Sequence, residues 1–170
     1  ITPRGDVVAI GGYDGTVSLV RLPSPLAPPA SAAARAFAAH AARIGRIAFS
    51  GDGALVATAS QDATAKVFRL APLLASGGSA PSKIAPLAEL HGHDGAVTSI
   101  AVVGTGGRVV TGSRDMTARV WSVFGARQLH VMAHDETVIA VAADESGARA
   151  ATLTRDGALL VFAVDDGSVI

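Results

Sequence analysis

The stretch GSRDMTARVW, residues 112–121, decides the fold, because its spacing recurs along the chain. Asp115 lies six residues before Trp121, which is the only Trp of the sequence. An Asp followed by a short β-rich segment occurs in the same way in three other stretches, namely GGYDGTVSLV (11–20), ASQDATAKVF (59–68) and LTRDGALLVF (153–162). Internal repetition on this scale indicates a repeat architecture.

Further positions keep a fixed register with the four Asp residues. A Gly lies nine residues before each Asp, and a His lies 22 residues before the last three. These residues are Gly5, Gly53, Gly106 and Gly147, with His40, His93 and His134. Successive Asp residues are 48, 53 and 41 positions apart, yet the His-to-Asp distance is constant. The constant part predicts a rigid folded element, and the variable part predicts surface loops.

Three short runs rich in Val, Ile, Thr and aromatic residues succeed one another in each of the last three units, as is typical of β-strands bounded by turns. In the third unit they are AVTSIAV (96–102), RVVTGS (108–113) and TARVWSV (117–123). A fourth strand is expected in the variable stretches, at 85–90 and 126–132. Four antiparallel strands per unit, repeated along the chain, predict the blades of a β-propeller.

The units resemble WD40 repeats, and GHDGAVTSIAVVGTGGRVVTGSRDMTARVWS (92–122) is the most similar. The resemblance implies an all-β fold, a WD40-type β-propeller in a partial ring of about four four-stranded antiparallel blades. Blades are expected at 1–37, 38–90 with an insertion at 71–84, 91–132 and 133–170, the first and last being incomplete. We expect the chain to be a fragment of a larger protein, with the ring completed by other residues or by another chain.

The resemblance also implies a buried hydrogen-bond relay in each blade, from a Trp indole through a Ser or Thr hydroxyl and a His to an Asp. By position the complete relay is His93, Ser113, Asp115 and Trp121. Phe replaces the Trp in two other units, so their relays should shorten to three members: His40, Ser60 and Asp62, and His134, Thr154 and Asp156. The first unit keeps Asp14 alone. The Asp that follows the aromatic residue in the family is absent, since Arg69, Ser122 and Ala163 stand there.

Three short motifs contain residue types that could serve other chemistry. Ser113, His93 and Asp115 have the residue types of a hydrolase triad, but the trio recurs in two other units, and an enzyme has no use for three triads at one spacing. HGHD (91–94) lacks the further ligands of a metal site, and GTGG (104–107) lacks the ending of a phosphate loop. We therefore predict no catalytic residue, no metal and no cofactor.

The amino-acid composition limits which kinds of partner and which cellular location we expect. The 170 residues include 14 basic and 14 acidic side chains and no Cys. A balanced charge makes nucleic acid an unfavoured partner for this segment, and no apolar run has the roughly 18 to 20 residues that cross a bilayer. The absence of Cys fits a reducing compartment. We expect an intracellular location, cytoplasmic or nuclear.

Two segments between the units have distinctive composition. Residues 31–43 are the best helical candidate, yet the register places His40 in a loop, so we expect the Pro-rich loop LPSPLAPP (22–29) to lead into an outer strand. The Gly- and Ser-rich stretch LASGGSAPS (74–82) is expected to be a flexible insertion.

Partners of WD40 proteins commonly dock on the face that carries the His loops and the Asp turns. The resemblance places seven residues of this chain there: Tyr13, Gln61, Arg114, Arg155, Asp94, Asp135 and Glu136. Tyr and Arg are enriched at binding hot spots. We expect a non-catalytic scaffold or adaptor subunit that binds protein or peptide partners. The alternatives are an RNP-associated propeller, such as a ribosome-biogenesis or RNA-processing factor, and a substrate receptor of a ubiquitin ligase.

Overall fold

The computed structural model describes residues 1–22, 34–74, 84–144 and 146–170 of the chain. In these residues the chain forms four antiparallel β-sheets, and the strands of each sheet are neighbours along the sequence. The Pro-rich stretch 23–29 and most of the Gly- and Ser-rich stretch 74–82 lie outside the described residues. Each sheet is built from one of the repeated units.

Short strands in chain order make up the four sheets. The first sheet contains β1 (Val7–Gly11), β2 (Thr16–Arg21) and β3 (Ala34–Ala38). The second contains β4 (Ile44–Phe49), β5 (Leu55–Ser60), β6 (Ala65–Arg69) and β7 (Ala88–Leu90). The third contains β8 (Val97–Val103), β9 (Arg108–Ser113), β10 (Thr117–Ser122) and β11 (Arg127–Ala133). The fourth contains β12 (Val138–Ala143), β13 (Arg149–Thr154) and β14 (Leu159–Ala163), followed by a bridge between Phe162 and Val169.

The all-β fold class, with four antiparallel blades, is confirmed. The expected fourth strands at 85–90 and 126–132 are β7 and β11, and 104–107 form the turn between β8 and β9. The strand expected after the Pro-rich loop is β3. The sequence pattern did not predict helix α1 (Leu70–Leu74), which directly follows β6. α1 has five residues, and no helix in the described part of the chain is long and apolar enough to span a membrane.

Apolar side chains from facing sheets form three successive cores. The first two sheets enclose Val17, Leu19 and Phe37 with Val56 and Phe68. The second and third enclose Ala57, Val67, Leu90, Val109 and Trp121, and the third and fourth enclose Val110, Val120, Ala150 and Phe162. Consecutive residues such as Val56 and Ala57 therefore enter different cores, since side chains alternate across a strand. Burial of both faces explains why the strands are nearly continuous in apolar residues.

The residue after each Asp adopts a left-handed backbone conformation. Gly15 and Gly157 have φ of 80° and 93°, while Ala63 and Met116 have φ of 65° and 63°. A left-handed conformation costs a residue with a Cβ about 1–2 kcal/mol, whereas Gly adopts it freely. Two of the four turns therefore carry local strain that the surrounding hydrogen bonds overcome.

The substitution Met116→Gly should stabilise the chain by about 0.5–1 kcal/mol, because the relief of strain exceeds the added backbone entropy of the unfolded state. The Met116 side chain is 47% exposed, so little apolar burial is lost. Urea unfolding monitored by circular dichroism gives the change.

The reverse change, Gly157→Ala, is the matched control. A Cβ at Gly157 would have open space around it, so the expected loss of about 1 kcal/mol reports backbone strain alone. A stabilising Gly157→Ala, or a destabilising Met116→Gly, would contradict this account of the turns.

Candidate interaction face

Two sets of loops lie at one end of the sheets because hydrogen bonds join them. The Asp turns at 12–15, 61–64, 114–116 and 155–158 connect the strands β1–β2, β5–β6, β9–β10 and β13–β14. The His loops at 39–43, 91–96 and 134–137 precede β4, β8 and β12. We call the surface formed by these turns and loops the Asp-turn face.

A four-residue hydrogen-bond chain lies beneath this face in the third sheet. The Trp121 indole Nε1–H donates to Thr111 Oγ1 at 2.8 Å, and Thr111 Oγ1 lies 2.7 Å from His93 Nε2. His93 Nδ1 lies 2.8 Å from Asp115 Oδ2. An indole can only donate and a carboxylate can only accept, so the proton of the imidazole lies on Nδ1 and the Thr111 hydroxyl donates to Nε2.

The prediction that Ser113 supplies the hydroxyl of this relay is wrong. Ser113 Oγ lies 3.0 Å from the carbonyl oxygens of Gly95 and Ala96, and it accepts from the Asp115 amide at 3.1 Å. Thr111 and Ser113 share one face of β9, but Ser113 lies at the end of the strand, level with the turn. Its hydroxyl therefore fastens the turn to the segment before β8, while Thr111 lies between the imidazole and the indole.

The second sheet has the same network without the indole. His40 Nε2 lies 2.8 Å from Thr58 Oγ1, and His40 Nδ1 lies 2.9 Å from Asp62 Oδ2. Phe68 stands at the Trp position, so three members remain. Ser60 is not a member of this network, so the prediction that it belongs to the relay is wrong. Like Ser113, it bonds backbone carbonyl oxygens, in this case those of Ala42 and Arg43.

The fourth sheet keeps only part of the network. His134 Nε2 lies 3.2 Å from Thr152 Oγ1, but among the described residues no hydrogen bond joins His134 to Asp156. Asp156 Oδ1 accepts instead from the Thr154 hydroxyl, at 2.5 Å. The predicted relay through Thr154 and Asp156 is therefore wrong.

The residue two positions after each Asp also differs between these sheets. In the second and third sheets Thr64 and Thr117 donate to Oδ1 of Asp62 and Asp115, and the imidazole bonds Oδ2. Ala158 stands at this position in the fourth sheet and has no hydroxyl. In the first sheet Asp14 Oδ1 accepts from the hydroxyl and amide of Thr16, at 2.7 and 3.1 Å.

A sequence signal for the correct hydroxyl is present along the chain. Thr58, Thr111 and Thr152 all lie four residues before the Asp, in the three units that have a His. The first unit has no His, and Ile10 stands four residues before its Asp14. Because a second hydroxyl residue always lies two positions later, spacing alone could not distinguish the two.

Burial sets the protonation of these groups. The pKa of His40 and that of His93 are lowered from 6.5, because burial disfavours the charged imidazolium more than the neighbouring Asp favours it. Burial would raise the pKa of Asp115, but hydrogen bonds from Thr117, His93 and the Asp94 amide outweigh it and hold the pKa at about 2. Every buried side-chain nitrogen and oxygen in the described residues has a partner. The networks are thus neutral imidazoles bonded to ionised carboxylates.

The residue before each of these Asp residues is exposed on the Asp-turn face. Gln61, Arg114 and Arg155 donate their backbone N–H groups to the carbonyl oxygens of the residues before β4, β8 and β12, at 2.9, 3.0 and 2.9 Å. These acceptors are Arg43, Ala96 and Thr137. The backbone at these positions is therefore fixed, while the side chains are exposed to solvent.

Tyr13 is the most exposed large apolar residue of the described part of the chain, at 79%. The guanidinium carbon of Arg43, which belongs to the next unit, lies 4.2 Å from the centre of its ring. A cation over an aromatic face is a favourable arrangement worth about 0.5–1 kcal/mol at an exposed site. Sequence reasoning did not identify Arg43, because its contact with Tyr13 joins two different units.

Three acidic residues predicted for this face lie on the His loops. Asp94 and Asp135 are exposed and Glu136 is half-buried. The Asp94 amide donates to Asp115 at 3.0 Å, and Glu136 Oε1 accepts from the Thr137 amide at 2.6 Å. No group of three potential metal ligands occurs among the residues that the structure describes.

Comparison with known proteins agrees with this architecture. Residues 33–69 and 84–122 match the family model for WD40, described as WD domain, G-beta repeat. These two units are WD40 repeats. The first match runs from the start of β3 through β6, and the second contains the complete hydrogen-bond chain of the third sheet. The predicted WD40-repeat architecture is confirmed.

Two relatives match about half of the chain. A periodic tryptophan protein 2 homolog of Neurospora crassa is 36% identical over 81 residues, which are 47% of this chain and 9% of that protein. A CCR4-associated factor 4 homolog of Candida glabrata is 34% identical over 84 residues, 49% of this chain and 14% of that protein. The similarity therefore covers only a small part of the relatives' own length. WD40 repeats are generally non-catalytic scaffolds for protein interactions.

The network of the third WD40 blade predicts how two Thr→Val substitutions should differ. Thr111→Val leaves both the Trp121 indole and His93 Nε2 without partners, whereas Thr58→Val leaves only His40 Nε2. Each orphaned buried group costs about 1–3 kcal/mol, so Thr111→Val should destabilise the chain by about 2–4 kcal/mol and Thr58→Val by about half of that. Urea unfolding measures both.

The coupling is tested by repeating Thr111→Val in a Trp121→Phe background. Without the indole only one group is orphaned, so the cost should fall by about 1–2 kcal/mol. Equal costs in the two backgrounds would show that the indole does not depend on Thr111.

The lowered pKa values predict loss of stability in acid in two steps. As the pH falls through 6.5, His40 and His93 bind protons in the unfolded chain but stay neutral in the folded chain, where their pKa is lowered. The free energy of unfolding therefore falls as the pH falls. A second loss should occur between pH 3.8 and about 2, where Asp115 is protonated only in the unfolded chain. Urea unfolding between pH 8 and 3 measures the first step, and acid titration followed by circular dichroism measures the second.

Replacing His40 or His93 by Gln should flatten the slope of stability between pH 7 and 5. A slope that stays the same in both single variants would rule out these imidazoles as its source.

Proposed function

We propose that this chain is part of a non-catalytic scaffold or adaptor subunit that binds a protein partner through the Asp-turn face. Its WD40 repeats support this role, since such repeats generally mediate protein interactions. The name of the Candida glabrata relative describes a factor associated with another protein, CCR4.

The observation that carries the proposal is the exposed pair Tyr13 and Arg43. A Tyr ring that is 79% exposed gains nothing from the core, yet Arg43 from the next blade lies over it. Stacking restricts both side chains before any partner arrives, so less conformational entropy is lost on binding. Tyr and Arg are also the residue types that dominate binding energy at protein interfaces.

Charge on this face favours a partner that carries both signs. Arg114 and Arg155 present guanidinium groups from two adjacent Asp turns, and Asp94 and Asp135 present carboxylates from the His loops beside them. Complementary charges steer a partner and fix its orientation more than they add affinity. The balanced total charge of the chain, with 14 basic and 14 acidic residues, agrees with a protein rather than a nucleic acid as partner.

The networks below the face supply the rigidity that such an interface needs. The amide of Arg114 is fixed to Ala96, and the amide of the following Asp115 to Ser113. A surface whose backbone is held in this way does not have to be ordered when a partner binds. The buried His and Asp side chains thus act as supports and do not contact the partner.

The double variant Arg114→Glu and Arg155→Glu should lose the specific partners that the wild-type chain captures from an extract of the source cells. Tyr13→Ala should weaken the same partners by about tenfold or more, the effect of one hot spot. The double variant should unfold within about 0.5 kcal/mol of wild type, since the changed side chains are exposed, and Tyr13→Ala within about 1 kcal/mol, since it loses the contact with Arg43. Quantitative mass spectrometry of captured proteins gives the comparison.

The matched control is Arg127→Glu with Arg149→Glu, which makes the same charge change at exposed residues of β11 and β13 away from the face. Partners retained by the Asp-turn variants, or lost equally with the control, would refute this docking face. Nuclease treatment before capture separates the alternatives: partners released by it would favour an RNP-associated propeller. An intracellular location stays a prediction.

A further inference from the structure

A cavity of about 700 Å³ opens between the first two blades at the end opposite the Asp-turn face. Its walls are the last residues of β2 and β6, the turn before β5, and helix α1. This volume is within the usual range for binding pockets, about 300–1,000 Å³. The cavity is remote from the residues of the proposed docking face, so a ligand could bind in it whether or not that face binds a partner.

Two Arg residues at equivalent repeat positions line the cavity. Arg21 and Arg69 each lie seven residues after the Asp of their unit, directly after the position of the aromatic residue. The third and fourth blades have the uncharged Ser122 and Ala163 at this position. Positive charge at this point of the repeat is therefore confined to the two blades between which the cavity opens.

The guanidinium groups of Arg21 and Arg69 are available to a ligand. Both residues are exposed, and among the described residues neither forms an ion pair. The acidic residue of the cavity wall, Asp6, is already bonded by the Thr2 hydroxyl at 2.6 Å. The guanidinium groups of Arg21 and Arg69 outnumber the single carboxylate of Asp6, so the mouth of the cavity has a net positive charge.

The rest of the wall is mostly apolar. Leu55 and Leu70 form buried parts of it, and Leu74 and Pro72 of helix α1 extend it. A ligand that fits must therefore combine a large aliphatic group with an anion, because guanidinium groups bind carboxylates through charge-assisted hydrogen bonds. Apolar burial and carboxylate pairing would then reinforce each other.

The chain's own neighbouring segments do not have this chemistry. Residues 23–33 and 75–83 come directly after the elements that wall the cavity, and neither stretch contains an Asp or a Glu. The anion must therefore come from another molecule. A peptide segment is the source that a family of protein-interaction repeats favours.

We propose that this cavity binds a peptide segment of a partner protein in which Leu or a similar aliphatic residue lies near a Glu or Asp. Arg21 and Arg69 pair with the carboxylate, and the aliphatic side chain enters the space between Leu55, Leu70 and Leu74. The chain therefore has a second interaction site, on the face opposite the first.

Fluorescence anisotropy with a fluorescein-labelled decapeptide library tests the proposal. Each peptide contains two Leu and two Glu residues at varied spacing in a Ser and Gly background. The best peptide should bind the 170-residue chain with a micromolar dissociation constant, and its Gln counterpart should bind at least tenfold more weakly. Affinity should also fall between about 50 and 500 mM NaCl, because the charges are near the surface.

Two single variants, Arg21→Glu and Arg69→Glu, should each weaken the best peptide by about tenfold, the usual effect of removing a charge-assisted hydrogen bond. The charge-matched control Arg127→Glu, on the outer strand β11, should leave binding unchanged. Leu74→Asp should also weaken binding, because it places a charge in the apolar wall. Circular dichroism and urea unfolding verify that each variant is folded.

The remaining outcomes overturn the proposal. Absence of any peptide that binds with a dissociation constant below about 1 mM would do so, as would equal affinity for the Glu and Gln peptides. Octanoate that binds as tightly as the best peptide would identify a site for small carboxylic acids instead. Loss of binding in Arg114→Glu and Arg155→Glu, with no loss in Arg21→Glu and Arg69→Glu, would place the peptide on the Asp-turn face.

Discussion

The buried bond between an imidazole and a carboxylate is the interaction that fixes the geometry of the second and third blades. His93 lies in the loop that enters the third blade, and Asp115 lies in a turn 22 residues later. Both groups are largely removed from water, so a departure of either from its position would leave a buried polar group without a partner. The loop and the turn are therefore held together at one end of the sheet.

The number of hydrogen bonds in the buried network differs between the sheets. The third sheet has the full chain from Trp121 to Asp115, the second ends at Thr58, and the fourth has lost the contact between His134 and its Asp. Polar networks specify geometry, whereas apolar burial supplies most of the stability. The cores between the sheets are apolar throughout, which is why the fourth sheet can dispense with part of its network and still pack against its neighbour.

The buried network also determines which surfaces are left for binding. In the second and third sheets the His and Asp side chains are hydrogen-bonded beneath the Asp-turn face, and the residues before the Asp, Gln61 and Arg114, are exposed to solvent. At the opposite end the described turns are held by Ser, Thr and Asp side chains, such as Ser50 and Asp52, and the Gly that lies nine residues before each Asp recurs there. Arg21 and Arg69 stand at equivalent positions of the first two repeats, and the cavity beside them is wide and apolar. The two ends of the blades thus differ in chemistry for a structural reason.

Sequence by itself determined the fold class and the order of the strands, because periodic apolar runs are local signals that repeat. The resemblance to WD40 repeats implied the pairing of His40 with Asp62 and of His93 with Asp115. Tertiary structure decided what spacing could not resolve. Thr111 and Ser113 are both hydroxyl residues on the same face of β9, and only their distance from the imidazole and the indole separates a relay from a turn support. Arg43 stacks on Tyr13 of a different blade, and Arg21 and Arg69, which also belong to different blades, line one cavity. Contacts of that kind depend on how one sheet packs against the next, which no pattern within a single repeat encodes.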